Sequence, residues 1–119
     1  MPLIHFQQRF AQAVVSGTKR QTIRKARKRP IKPGDKLILA AWRGKPYRST
    51  VRRLRVATCS SVCPITINGT RDIEINGRPA NLIRVGKLAV ADGFRCISEM
   101  VDWFEEVHGL PFEGVIIRW

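Results

Sequence analysis

Acids, histidines, cysteines and long apolar stretches are all scarce in this 119-residue sequence, and each shortage narrows what the chain can be. No window approaches the roughly 18 consecutive apolar residues of a membrane-spanning helix. The opening Met1-Pro2-Leu3-Ile4-His5 lacks the basic, then apolar, then small-residue order of a secretion leader. Neither a membrane partner nor export is expected, and the chain reads as cytoplasmic. Three cysteines, Cys59, Cys63 and Cys96, are an odd number that cannot close a full disulfide framework, which suits a reducing compartment. No metal is expected, because Cys59 and Cys63 offer two thiols while Cys96 stands alone and neither His5 nor His108 has a partner at ligand spacing. A Walker loop, a dinucleotide fingerprint and a serine-hydrolase elbow are all missing, so no cofactor is expected. Without repeats, linkers or low-complexity tracts, residues 1–119 read as a single domain, expected as a monomer or weak dimer.

The shortage of acids is the strongest signal. Twenty-two Lys and Arg face nine Asp and Glu, a net charge of +13. The excess is confined to one half: residues 1–57 hold 16 cations and the single acid Asp35, whereas residues 58–119 hold six cations and eight acids. Such a one-sided field favours a polyanion as partner. The densest run is Lys19, Arg20, Arg24, Lys25, Arg27, Lys28, Arg29 and Lys32, interrupted by Pro30 and followed by Pro33. Proline breaks any amphipathic helix there, which weakens a membrane-surface reading and leaves RNA or single-stranded nucleic acid as the favoured partner. The stretch from Lys25 to Lys32 offers little apolar anchorage and is expected to fold on binding.

Periodicity supplies the elements. Phe6, Phe10, Ala13 and Val14 recur at helical spacing before Gly17, giving a helix over Gln8–Ser16. Gln21–Arg24 reads as extended, Pro33-Gly34-Asp35 as a turn, and Lys36–Trp42 as a buried strand. Ser49–Thr58 alternates apolar and basic residues with one slip. Ile65–Ile67 and Asp72–Ile75, punctuated by Asn68-Gly69 and Asn76-Gly77, read as hairpin strands. Ala80–Ala91 and Ile97–His108 read as helices, with Cys96 and Glu99 at capping-box positions, and Gly114–Trp119 as a closing strand.

Within this order, four segments carry a resemblance: Ile4 to Phe10, the stretch Gly17-Thr18-Lys19-Arg20-Gln21-Thr22-Ile23-Arg24, the turn Pro33-Gly34-Asp35, and Ala91-Asp92-Gly93-Phe94 ahead of a helix. Together they resemble the ASCH domain (activating signal cointegrator homology) over roughly Leu3 to Arg118. Gly-x-Lys-x-x-Thr-Ile-Arg is the most specific part. Leu110 to Val115 is similar to ASCH-like proteins carried by phages. The resemblance implies an α+β fold, a PUA-like small β-barrel with flanking helices, and RNA binding in a cleft beside the barrel. One small bacterial branch of the family hydrolyses the amide of 4-acetylcytidine with a Lys, a Thr and a Glu. The matching positions here are Lys19, Thr22 and Asp92, with Asp where that branch has Glu.

The leading expectation is therefore an RNA- or nucleic-acid-binding protein whose cleft takes a base or modified nucleoside. Its contacts would come from Arg20, Arg24, Lys25, Arg27, Lys28, Arg29, Lys32 and the stacking ring of Trp42, with Tyr47 and Phe94 as further aromatic candidates and His5 near the cleft. The alternative is an amidohydrolase with Thr22 as nucleophile, Asp92 as general base and Lys19 as electrostatic stabiliser. In a straight strand Lys19 and Thr22 face opposite sides, so convergence requires a bend soon after Gly17. Plain structural readings stand beside these: Lys19 as one more phosphate contact, Thr22 as a β-branched strand residue, Asp92 as an Asx turn ending a helix. Arg24 can clamp a phosphate or anchor Asp92. His108 reads as a helix C-terminal residue favourable to the dipole when protonated. A ribonuclease is the weaker enzymatic reading, for want of a histidine pair suited to acid–base cleavage, and binding to a host protein is a fourth, non-enzymatic reading.

Overall fold

Leu37–Ala41 are buried without a break, which is the signature of a strand covered on both faces. They form the middle of β3 (Lys36–Trp42), flanked by β1 (Leu3–Phe6) in parallel and β4 (Val51–Thr58) in antiparallel pairing, in the order β1-β3-β4. The structure, a computed structural model, describes residues 1–46 and 48–119; Tyr47, expected as a stacking aromatic, lies outside the described residues. The second sheet runs β2-β8-β5-β6-β7, from β2 (Gln21–Arg24), β5 (Ser61–Gly69), β6 (Asp72–Ile75), β7 (Arg78–Pro79) and β8 (Phe112–Arg118). With α1 (Ala11–Ser16), α2 (Leu82–Ala91) and α3 (Ile97–His108), the described residues form a mixed α+β fold.

The chain crosses between sheets at Cys59 and Ser60. Cys59 N–H donates to Asp35 O and Gly34 N–H to Cys59 O, both at 2.8 Å, while Ser60 N–H reaches Arg118 O at 2.8 Å, so the ends of both sheets meet at this corner. Two cores result. One packs Val85, Leu88, Met100 and Phe104 of the last two helices onto Ile65, Ile67, Ile73 and Ile116. The other packs Ile4, Phe6 and Val14 with Leu37, Leu39, Ile117 and Trp119. Adjacent residues of β8, Ile116 and Ile117, thus face different cores, as the two-residue period of a strand requires.

Local departures from the expected elements have local causes. Gln8–Phe10 is a 3-10 turn that precedes α1, and Gly17 closes the helix as expected. The slip in β4 is a bulge: Leu39 pairs with Arg55 and Ala40 with Arg53, leaving Leu54 as the extra residue, packed against the second core. β5 begins at Ser61 and runs through Pro64, which pairs only with β8 because β6 joins from Ile65 on, so a residue without N–H is tolerated there. Asn76 and Gly77, at φ 56° and 73°, form the two-residue turn between β6 and β7 that their identities favour. Cys96 makes no side-chain cap to α3, and Glu99 instead accepts from Arg95 Nε at 2.7 Å. The basic stretch is anchored, against expectation. Ile31 is 6% exposed within the second core, Arg27 Nη2 donates to Leu3 O, and Asp35 Oδ2 accepts from Lys32 N–H.

Candidate functional site

Asp92 follows Val85 by seven residues and Leu88 by four, so it falls on the buried face of α2, at the cap position where the helix ends. Its N–H still bonds Leu88 O at 3.0 Å. The next residue, Gly93, has φ 101°, and a Cβ there would stand 2.5 Å from the Phe10 ring. Only glycine lets the chain turn so close to that ring.

Lys19 arrives from the other side. Its N–H donates to Ala13 O at 3.0 Å, folding the Gly17–Lys19 link back along α1 and supplying the bend that a straight strand would lack. The ammonium lies 2.7 Å from Asp92 O and 3.6 Å from Asp92 Oδ1, with Phe10 and Phe6 ring centroids at 5.0 and 5.8 Å. Both partners are buried, at 4% and 7% exposure. Gln21, also buried, donates to Asp92 Oδ1 at 3.4 Å and to Leu88 O at 3.3 Å. Lys19 and Gln21, two apart, therefore serve the carboxylate together. Thr22 and Arg24 form the complementary couple: Arg24 Nε donates to Thr22 Oγ1 at 2.9 Å. Arg24 Nη2 donates to His5 O, and the guanidinium lies 5.1 Å from the Phe6 centroid. Arg24 thus holds β1 and Thr22, rather than hydrogen-bonding Asp92.

Lys19, Thr22, Arg24 and Asp92 all line one open cleft of about 430 Å³. Lys19 and Asp92 touch; the Thr22 hydroxyl has Arg24 as its one hydrogen-bond partner among the described residues. Burial pushes the Asp92 carboxyl up to about 6, against the opposing pull of Lys19 and Gln21. Burial likewise lowers the Lys19 ammonium, with Arg24 adding repulsion and Asp92 partly restoring it. A carboxylate poised near neutrality is suited to taking up a proton, and the ammonium beside it to stabilising negative charge.

One wall is aromatic. His5 and Trp42 stack with centroids 4.7 Å apart and planes 14° from parallel. From α3, Trp103 and His108 also line the cleft. His108 is the last residue of α3, as expected; it stacks on Phe104 at 5.9 Å, and burial and Lys25 hold it below its ordinary pKa, which disfavours the protonated form that would suit the dipole. His5 is lowered too, by burial, Arg24 and Arg27. No local pattern signals that these two histidines, near opposite ends of the chain, share a cleft. Both favour the neutral form at pH 7, which supplies bases but no imidazolium acid.

Of the expected nucleic-acid contacts, Arg24, Lys25, Arg27 and Trp42 line the cleft. Arg20 donates to Trp119 O at 3.2 Å, away from it, and Lys28, Arg29 and Lys32 lie exposed outside it. Phe94 lines the cleft but is buried in the first core. Arg9, Gln21 and Trp103 join the site through packing that no local pattern marks, and Phe10 carries the helical periodicity of a core residue. Among the described residues no three His, Cys, Asp or Glu cluster as a metal site, and Cys59 and Cys63 pack into different cores. No helix of the described residues is long and apolar enough to cross a membrane.

Fold and site together define an α+β protein with a basic, aromatic-walled cleft over a buried lysine–aspartate pair. Comparison of the chain with protein-family models, with curated proteins and with solved structures finds no match.

Proposed function

We propose that this chain is a nucleic-acid-binding protein of the ASCH type, its two sheets forming a PUA-like barrel and its cleft taking one base or modified nucleoside of an RNA or single strand. The observation that carries this reading is the lining of the cleft. Arg9, Lys25 and Arg27 supply unneutralised charge, the stacked His5–Trp42 pair supplies a platform, and the only acid among the described lining residues, Asp92, is already opposed by Lys19. Phosphate attraction and base stacking are the two terms that hold single strands. Binding of a labelled oligouridylate, followed by fluorescence anisotropy, is expected to weaken by ~0.7 log units per log unit of salt for each neutralised phosphate. Trp42→Ala should cost ~1–3 kcal/mol, the range measured for one stacked base. An affinity that does not respond to salt would sink this reading.

The buried pair beside Thr22 favours a second reading, an amidohydrolase acting on 4-acetylcytidine-like nucleosides. The Thr22 hydroxyl would attack the acetyl carbonyl, Asp92 would take up its proton and Lys19 would stabilise the oxyanion; collapse would break the C–N bond, Asp92 returning the proton to the leaving cytidine N4 amine, and water would then hydrolyse the acetyl ester on Thr22 to acetate. Mass-spectrometric detection of released cytidine tests it. Turnover lost in both Lys19→Ala and Asp92→Asn supports it, whereas unchanged turnover in either removes these assignments.

A further inference from the structure

The cleft draws its cations from Arg9 and residues 19–27, and a second group remains outside it. From Lys36 to Arg71 the sequence holds eight Lys and Arg and no acid. Three of them, Arg52, Arg53 and Arg55, are exposed on β4, the outer strand of its sheet, and among the described residues none makes an ion pair or side-chain hydrogen bond. A charged edge commonly guards against edge-to-edge pairing, and for that purpose the face on which each charge stands is immaterial.

The register separates the three. Ala40 pairs with His5 on one side and with Arg53 on the other, so His5, Ala40 and Arg53 form one row across the sheet. Trp42 pairs with Val51, which puts the stacked His5–Trp42 wall and Arg53 on the same face. Arg53 is the diagonal neighbour of Trp42, roughly 7–8 Å away by strand geometry and within reach of a long side chain. Arg55 and Arg52 pair with Leu39 and Ala41 and stand on the opposite face. Arg53 and Arg55 would share a face in a regular strand; the bulge at Leu54 divides them.

We propose that a nucleic-acid strand held in the cleft continues over the His5–Trp42 wall and across this face of the sheet, with Arg53 gripping the next phosphate. The proposal rests on the nucleic-acid reading above and adds a direction to it: out over β3 and β4. Arg52 and Arg55, equal in charge and on the same strand, serve as the internal control.

Fluorescence anisotropy with labelled octauridylate decides it, using the full chain with melting temperatures recorded for each variant. Arg53→Gln is expected to weaken binding roughly fivefold at 0.1 M salt and to lower the salt slope by ~0.7. The double variant Arg52→Gln/Arg55→Gln is expected to stay within about twofold of wild type. If Arg53→Gln is silent while wild type binds, or if the double variant loses as much as Arg53→Gln, the path is wrong and cleft binding stands. If wild type fails to bind octauridylate even at low salt, the nucleic-acid reading fails and takes the path with it.

Discussion

An ammonium and a carboxylate buried together must each give up hydration, and at Lys19 and Asp92 that cost outweighs their mutual attraction in both titrations. For Asp92 the sign follows directly. Its folded pKa, about 6, lies above the ordinary 3.8, so the folded chain binds the proton more tightly than the unfolded one. The stability this contributes is complete below pH 4 and is lost as pH rises through 6, a swing of about 3 kcal/mol. Lys19 works oppositely: with its folded pKa lowered, its contribution is present above the ordinary 10.5 and is lost as pH falls through the folded value. Urea unfolding at pH 4 and pH 7 should therefore show Asp92→Asn gaining on wild type by about 2 kcal/mol between the two pH values, most of the full swing. An equal difference at both would mean the carboxyl titrates normally. In Lys19→Met the Asp92 midpoint, followed by carboxyl carbon NMR, should climb above its wild-type value, since the largest opposing influence is gone.

Among the elements, the turn that ends α2 is closely constrained by its neighbours. Gly93→Ala must place a methyl group against the Phe10 ring at φ 101°, and the ring has Arg9 and Lys19 at 4.5 and 5.0 Å from its centroid. The expected cost is ~2–4 kcal/mol in chemical unfolding, combining backbone strain with overlap, and the Lys19 contact would loosen with it. A neutral Gly93→Ala would show that Phe10 yields easily. Elements were legible in the sequence where one period runs unbroken, as in β3 and α3. Starts were missed where the pattern breaks locally, Pro64 hiding that of β5 and Pro111 that of β8, whereas the slip in β4 was legible and is the bulge at Leu54. The site divides similarly. Lys19, Thr22 and Asp92, which line the cleft, stand at matched positions of the segments that carry the resemblance, whereas Gln21, Phe10 and His108 join through packing between elements that no local pattern encodes.

At the scale of the whole molecule, the uneven charge acts on folding as well as on partners. Sixteen cations in the first 57 residues repel one another with one acid to offset them. Salt screens that repulsion, with a Debye length that shrinks from roughly 30 Å at 0.01 M to about 8 Å at 0.15 M. The melting temperature should accordingly rise with sodium chloride over this range, contrary to the behaviour of a fold held by surface ion pairs. A falling melting temperature would mean that attractive pairs dominate.

Ile116 and Ile117 place the two cores on either side of a single strand. That strand is a party wall: neither chamber keeps its seal if β8 lets go, and neither can be vacated alone. Amides of β8 should then exchange with solvent only through complete opening of the molecule, and unfolding should read as one transition whether it is followed from Trp119 in one chamber or Trp103 beside the other.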